Sequence, residues 1–119
     1  RADIISVHTP LNEETAGMIV AAAFAKMKPG AVLLSTARGG IVDEGALLEN
    51  LNSGHIAGAA LDVFETEPPG KSKLISHPNL VATPHIAAQT GEAQARAAQH
   101  AAEEIIRRFE GLPLRWQIR

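Results

Sequence analysis

The 119-residue sequence lacks cysteine altogether, and only 3% of its residues are aromatic. Without thiols there can be no disulfide bonds, thiolate metal sites or cysteine nucleophiles. So few aromatic side chains argue against a surface that stacks on nucleic-acid bases. The absence of cysteine fits a cytoplasmic protein, since disulfide bonds are rare in that compartment, and we expect a cytoplasmic location.

The sequence also lacks any block of like charge, since 11 Lys and Arg residues face 13 Asp and Glu residues, for a net charge of −2. We therefore expect neither nucleic acid nor a membrane as a partner. No apolar run approaches the roughly 20 residues that span a bilayer. The histidines show no metal-ligand spacing, so no metal is expected. The hydrophobic content of 45% predicts one folded domain with a modest core.

The chain opens on Arg1 and enters a strand-like apolar run at Ile4, without an initiator methionine or a leader-like segment. A natural domain seldom begins on a central strand. We therefore expect the sequence to be a piece of a longer protein.

Short apolar runs alternate with helix-like patterns through the first 90 residues. The predicted strands are 4–7, 31–36, 56–61 and 80–82, and the predicted helices are 17–27 and 44–51, the second capped by Asp43. Strands that alternate with helices form a parallel sheet with right-handed crossovers. The pattern thus predicts an α/β fold with about half of a doubly wound sheet.

A long helix is predicted over 91–110, where neither proline nor an internal glycine interrupts the chain. Apolar residues recur there every four positions, at Ala93, Ala97, Ala101, Ile105 and Phe109. This spacing places them on one face of a helix about 30 Å long. Thr90 is the predicted N-cap.

Polar residues follow each predicted strand, and ligands of parallel sheets bind beyond the carboxyl ends of the strands. We expect Arg38, Glu67 and His85 to lie together along this edge. Arginine binds a carboxylate through two hydrogen bonds, and histidine donates or accepts a proton near neutral pH. A neighbouring glutamate orients the imidazole ring. This set suits the interconversion of 2-hydroxy and 2-keto acids, with a nicotinamide carrying the hydride.

Each of these residues alone also fits an ordinary structural role. Arg38 and Glu67 fit solvated loop residues, and His85 fits a packed or capping side chain. Asp62 could merely cap a turn. Only their combination favours catalysis.

Motifs distributed over nearly the whole chain belong together. They are 8–11, 14–15, 18–19, 28–31, 35–44, 57–68, 78–80 and 83–87. In this order they resemble the D-isomer-specific 2-hydroxyacid dehydrogenase family, in its C-terminal part and nearest its phosphoglycerate dehydrogenase and glyoxylate/hydroxypyruvate reductase group.

The resemblance implies a Rossmann-type NAD-binding sheet and a role for each matching residue. Arg38 matches the arginine that binds the substrate, Glu67 the glutamate paired with the catalytic histidine, and His85 that histidine, the general acid and base. The implied cofactor-binding residues are His8, Thr9, Pro10, Thr36, Ala37, Asp62 and Ala87.

The chain departs from the family pattern in lacking the G-x-G-x-x-G turn that binds the pyrophosphate. The resemblance implies NAD as the cofactor, with NADP still open. Residues 1–89 correspond to the C-terminal half of the NAD-binding domain. Residues 90–119 correspond to a long helix and tail that return to a substrate domain built from a missing N-terminal part.

The expected function is therefore hydride transfer between a nicotinamide cofactor and a small 2-keto or 2-hydroxy acid, with the isolated chain inactive. The resemblance leaves open a non-enzymatic module, such as the related C-terminal-binding-protein corepressors, or a dimerisation or folding unit. Because half a sheet exposes apolar surface, we also expect a homodimer.

Overall fold

A computed structural model describes residues 2–117 of the chain. The chain divides after Ile86 into two compact units. The first unit contains a sheet and two helices, and the second contains one long helix followed by a short tail. Arg1 and residues 118–119 of the predicted tail lie outside the described residues.

The first unit is built on four parallel strands, as the alternating sequence pattern predicts. The strands stand in the order β1-β2-β3-β4, so each connection moves one position in the same direction. This is the winding of one half of a doubly wound sheet. The elements are β1 (Ile4–Val7), α1 (Ala21–Phe24), β2 (Ala31–Ser35), α2 (Glu44–Asn52), β3 (Ile56–Leu61) and β4 (Leu80–Ala82).

The core lies on one face of the sheet, because alternate residues of each strand point to the same side. In β2 the side chains of Ala31, Leu33 and Ser35 are buried, and those between them are only partly covered. Burying a side chain such as Leu33 contributes roughly 2 kcal/mol. The largest fully buried side chains of the core are Phe24, Leu33, Ile41, Leu47 and Ile56.

The other face of the sheet is poorly covered. The strand register aligns Ser6, Leu34, Ala60 and Val81 in one row across this face. Val81 is 64% exposed. Parallel sheets are normally buried on both faces, so within the first unit this face, with the apolar Leu34, Ala60 and Val81, is unusually open.

Helix α2 begins and ends as its sequence predicts. The Asp43 side chain accepts a hydrogen bond from the amide of Ala46 at 2.8 Å, which satisfies one free amide of the first turn. After the helix, Gly54 has a φ angle of 74°, a left-handed conformation that glycine adopts without strain.

The predicted helix over 17–27 is wrong in its length, since α1 contains only Ala21–Phe24. Gly17 has a φ angle of 61°, and its amide donates to the carbonyl of Gly40. Ile19 then forms an isolated parallel bridge with Val42. These backbone hydrogen bonds to the segment after β2 override the helix propensity of the alanine-rich run, so the helix begins only at Ala21.

The second unit contains α3, which extends over Gly91–Phe109 and confirms the predicted long helix. The Thr90 side chain caps it by accepting from the amide of Ala93 at 3.1 Å. No side chain of α3 is buried, and Phe109 is 88% exposed. In the described part of the chain, no helix is both long and apolar enough to cross a membrane.

The tail after α3 folds back on the helix through hydrogen bonds. Arg107 donates from Nε and Nη2 to the carbonyl of Pro113, at 2.9 and 2.6 Å. The amide of Arg115 donates to the Glu104 carboxylate at 2.8 Å. Trp116 stacks on His100 with ring centroids 5.8 Å apart.

Candidate active site

The candidate site lies at the carboxyl edge of the sheet, where all four strands end. His8 follows β1, Thr36 follows β2, Asp62 follows β3 and Thr83 follows β4. Because the strands are parallel and in sequential order, these ends lie along one edge. The edge carries two larger cavities, each lined by residues that the sequence analysis singled out.

The first cavity, of about 560 Å³, lies where β1 and β2 end. It brings together five of the predicted cofactor-binding residues and the predicted substrate-binding Arg38. Leu11 also lines it and was not predicted. The lining residues are His8, Thr9, Pro10, Leu11, Thr36, Ala37 and Arg38.

The imidazole ring of His8 is held between the first two strands. Its Nε2 lies 2.7 Å from the Ser6 hydroxyl, and its Nδ1 lies 3.0 Å from the Thr36 hydroxyl. Because both ring nitrogens are engaged, the ring forms a fixed wall of the cavity rather than a free acid or base. Its place there fits contact with a ligand better than proton transfer.

Thr9 leaves a polar group in this wall without a partner. Its hydroxyl oxygen is buried and meets no hydrogen-bond partner among residues 2–117. A buried hydroxyl normally has one, because leaving it unpaired costs free energy. A cavity with such a hydroxyl and an arginine fits a ligand that is itself polar and anionic, as a nicotinamide nucleotide is.

The second cavity, of about 280 Å³, lies where β3 and β4 end and contains Glu67 and His85. Proline side chains form much of the remaining wall. It is lined by Asp62, Phe64, Glu67, Pro68, Pro69, Pro84 and His85.

Glu67 and His85 form the hydrogen-bonded pair that the sequence analysis expected. The Nδ1 atom of His85 lies 2.8 Å from Oε2 of Glu67. The other carboxylate oxygen, Oε1, accepts from the amide of Phe64 at 3.0 Å. The hydrogen bond from His85, supported by the one from Phe64, lowers the pKa of Glu67 below its usual value.

This pairing engages Nδ1 of His85 and leaves Nε2 available for proton transfer. Among the described residues Nε2 of His85 has no hydrogen-bond partner, and the side chain is 43% exposed. An ionised carboxylate on Nδ1 fixes the ring orientation and leaves Nε2 to donate or accept a proton. Such a pair can protonate a carbonyl oxygen or accept a proton from a hydroxyl group.

The backbone of His85 is itself unusual. His85 has a φ angle of 55°, the only positive value outside glycine among the described residues. Residues with a side chain seldom adopt this region, and such conformations concentrate at functional sites. The conformation therefore needs support from neighbouring groups.

Arg38 shares the edge with this pair but does not contact it. Its Nη1 donates to the carbonyl of Ala37 at 2.7 Å, and in the described chain it makes no hydrogen bond or ion pair with Glu67 or His85. The strands β2 and β4 are two spacings apart, roughly 10 Å. A small acid between them could reach both, with its carboxylate towards Arg38.

The loop of Arg38 is nevertheless fixed against the loop of Glu67. A Cβ on Gly39 would lie 1.9 Å from the carbonyl oxygen of Phe64, so only glycine allows the two backbones to meet. Close by, Glu44 accepts from the amide of Glu65 at 2.7 Å. These contacts join the loop of Arg38 to the loop of Glu67.

The remaining predicted residues occupy separate positions. Asp62 lines the second cavity and, with Thr36, a small third one of about 70 Å³. Ala87 lies at the start of the second unit.

The sequence analysis missed Thr83, whose hydroxyl donates to Asp62. Its place directly after β4 was the available signal, because polar residues at strand ends face this edge. No group of three or more His, Asp or Glu side chains that could hold a metal is found within residues 2–117.

Comparison with known proteins identifies the class to which this geometry belongs. Residues 1–87 match the family described as D-isomer specific 2-hydroxyacid dehydrogenase, NAD binding domain. The match covers most of the chain, and the chain belongs to this family. The Rossmann-type fold and the family that the sequence motifs predicted are thereby confirmed.

Individual relatives agree with this assignment. The chain is 55% identical over 113 residues to D-3-phosphoglycerate dehydrogenase of Bacillus subtilis, a match of 95% of the chain and 22% of that enzyme. The chain thus spans about a fifth of the length of this relative.

Solved structures show the same fold. A D-isomer specific 2-hydroxyacid dehydrogenase from Xanthobacter autotrophicus, in complex with NADPH and MES, has a TM-score of 0.86 and 41% identity. The match covers 99% of this chain and 48% of that one. D-lactate dehydrogenase with NAD⁺ from Lactobacillus jensenii has a TM-score of 0.86 and 33% identity, over 99% and 40% of the two chains.

Proposed function

We propose that this chain supplies the substrate-facing part of the nicotinamide site in an NAD-dependent D-2-hydroxyacid dehydrogenase. The observation that carries the proposal is the pair formed by Glu67 and His85, at the end of a parallel sheet whose family binds NAD. A carboxylate that fixes one ring nitrogen and leaves the other free is the arrangement general acid–base catalysis requires.

The proposed proton chemistry balances with hydride transfer. During oxidation, Nε2 of His85 accepts the hydroxyl proton of the 2-hydroxy acid, and the hydrogen on C2 of the acid leaves as a hydride. A bound nicotinamide ring supplies the acceptor for that hydride. During reduction, His85 returns the proton to the carbonyl oxygen, and the hydrogen bond between Glu67 and Nδ1 keeps the ring oriented for that transfer.

Arg38 binds the carboxylate of the acid in this proposal. Its guanidinium carries two parallel donors that match a carboxylate, and it lies at the edge shared by both cavities. The identity to D-3-phosphoglycerate dehydrogenase favours 3-phosphoglycerate, and glyoxylate and hydroxypyruvate are the next candidates.

The first cavity is assigned to the cofactor. Its lining by His8, Thr9 and Pro10, together with the unpaired hydroxyl of Thr9, supports the binding of a polar dinucleotide there. Asp62 and Ala87 are assigned to the nicotinamide end. NAD is the proposed cofactor, and NADP stays a candidate because a related structure holds NADPH.

Activity is proposed for a longer protein rather than for these residues alone. No G-x-G-x-x-G turn occurs in the 119 residues, so the pyrophosphate would lack its usual binding turn. We propose that residues 90–119 return to a substrate domain, that the protein forms a homodimer, and that it is cytoplasmic.

Arg38 provides the sharpest test of the reaction. The chain would replace its 113-residue match in the Bacillus subtilis enzyme, and turnover of 3-phosphoglycerate, hydroxypyruvate and glyoxylate would be measured. Arg38→Ala should raise KM for the keto acid and lower kcat/KM by roughly 100-fold or more, since a charge-assisted double hydrogen bond is lost.

Arg38→Lys is the matched control, because it keeps the charge and loses the two parallel donors. It should fall between the wild type and Arg38→Ala. Normal kcat/KM in Arg38→Ala would refute the assigned role. A chimera that folds and binds NAD but turns over none of the three acids would instead favour a non-enzymatic module.

A further inference from the structure

We propose that Thr83 is a positioning residue that, through Asp62, holds His85 in the conformation in which it meets Glu67. The part that concerns catalysis rests on the function proposed above. The part that concerns geometry stands on the described contacts alone.

The first observation is that one carboxylate oxygen holds both ends of the loop. The Thr83 hydroxyl donates to Oδ1 of Asp62, and the amide of Ile86 donates to the same oxygen at 2.8 Å. Only Pro84 and His85 lie between these two donors. The short loop is thus closed by a single buried acceptor.

The second observation is that the acceptor itself is immobile. Asp62 is 4% exposed and directly follows β3. Its amide donates to the carbonyl of Ser35 at 2.9 Å, which ties it to β2. The amide of Thr83 donates to the carbonyl of Leu61 at 3.0 Å, so the sheet extends to the start of the loop.

The third observation is the conformation that the loop imposes. Pro84 has a φ angle restricted by its ring, and His85 then has a φ angle of 55°. This left-handed turn directs the imidazole to Oε2 of Glu67. Hydrogen bonds to a charged acceptor are among the strongest available, and two of them act on this one turn.

Removal of the Thr83 hydroxyl should therefore also change the conformation of His85. Without it, the side chain of Thr83 no longer ties the near end of the loop to Asp62, and His85 can relax to a negative φ. Relaxation would lengthen the distance from Nδ1 to Oε2 of Glu67. A residue needed only for stability would lower the melting temperature and leave that distance unchanged.

The pKa of Glu67 reports that distance without any cofactor or turnover. Its carboxylate is influenced by His85, by the Phe64 amide and by the charge of Asp62, and the hydrogen bond from His85 is the largest influence. The carboxyl carbon of Glu67 can be followed by NMR through an acid titration of the chain. Thr83→Val keeps the side-chain shape and removes the hydroxyl.

The expected result is an upward shift of the Glu67 pKa in Thr83→Val, with no shift in Thr83→Ser, which restores a hydroxyl. Thr15→Val is the control, because the Thr15 hydroxyl also donates a short hydrogen bond, to Pro10. An unchanged Glu67 titration in a folded Thr83→Val chain would overturn the proposal.

If Thr83→Val does not fold, the wild-type chain still decides the matter. We expect an NMR scalar coupling across the hydrogen bond from the Ile86 amide to the Asp62 carboxyl group. We also expect a three-bond coupling in His85 whose size corresponds to a positive φ angle. Absence of both would overturn the proposal.

Kinetics separate this proposal from the function on which it rests. In the chimera, Thr83→Val should lower kcat by roughly 10- to 100-fold with KM little changed, since a misplaced catalytic group affects the chemical step. Thr83→Ser should recover most of the loss. If the wild-type chimera is inactive, the proposed function is refuted. The titration of Glu67 still tests whether Thr83 positions His85.

Discussion

Single hydrogen bonds determine the chemistry of the candidate site. Glu67 uses one carboxylate oxygen for the Phe64 amide and the other for His85, so its charge and orientation depend on both. The sequence motifs predicted that Glu67 and His85 would be paired. They could not predict the φ of His85 or the contact of Thr83 with Asp62, because these depend on how β3 and β4 align in space.

The stability of the chain should depend on pH through Glu67. Because the pKa of Glu67 is lower in the folded chain than in the unfolded one, its ionised form stabilises the fold. That stabilisation is complete above the unfolded glutamate pKa, which is about 4.3. It decreases as the pH falls from there through the folded pKa.

Glu67→Gln should therefore be less stable than the wild type at pH 6, and the difference should shrink as the pH falls below about 4. Urea unfolding at several pH values measures this difference. Glu13→Gln, at an exposed loop position, serves as the control. A difference independent of pH would contradict the assigned role of the ionised carboxylate.

The close approach of Gly39 to the Phe64 backbone should make the fold sensitive to a larger residue at this position. Gly39→Ala places a Cβ 1.9 Å from the Phe64 carbonyl, so the backbone of one loop must move. We expect a loss of about 3 kcal/mol in unfolding free energy, at the upper end of what overpacking costs. Gly91→Ala is the matched control, because nothing lies within 4 Å of its added Cβ. Equal stability of the two variants would exclude the close loop contact.

Local signals predicted most elements of secondary structure. The four strands and the helices α2 and α3 follow from apolar pattern, caps and terminating glycines. The exception is α1, where the alanine-rich run suggested a longer helix. Gly17 and Ile19, which precede α1, instead donate backbone hydrogen bonds to the carbonyls of Gly40 and Ile41. The periodicity of the sequence does not reveal such long-range contacts.

The side chain of Asp43 should stabilise the start of α2. Asp43→Ala removes the acceptor of the Ala46 amide and should lower the unfolding free energy by about 1 kcal/mol. Asp43→Asn should retain most of that stability, because asparagine caps equally well. Thermal unfolding followed by circular dichroism distinguishes the variants. Equal melting temperatures for all three chains would show that the cap contributes nothing.

The organisation of the whole chain follows from the winding of its sheet. All connections in β1-β2-β3-β4 run in one direction, so the carboxyl ends meet at one edge, and right-handed crossovers place α1 and α2 of the first unit on the same face. The sequence predicted the shared edge. It did not predict that Arg38 would line a different cavity from His85, since loop paths decide that separation.

The open face of the sheet in the first unit should make the chain associate with itself. Apolar side chains there should drive self-association at high concentration, giving a light-scattering mass above the 12.6 kDa of one chain. Ile4→Lys, at a position 65% exposed on the edge strand β1, should reduce association. Met18→Lys, off the sheet, should not. A constant monomer mass for the wild type would contradict this account.

The central claim is that His85, oriented by Glu67, moves the proton during hydride transfer. A single-turnover experiment on the chimera measures that step directly, by mixing NADH-loaded protein with hydroxypyruvate and following the loss of cofactor absorbance. His85→Gln should slow this step by roughly 10²- to 10⁴-fold while the affinity for NADH is unchanged. A rate within a few-fold of the wild type would contradict the claim.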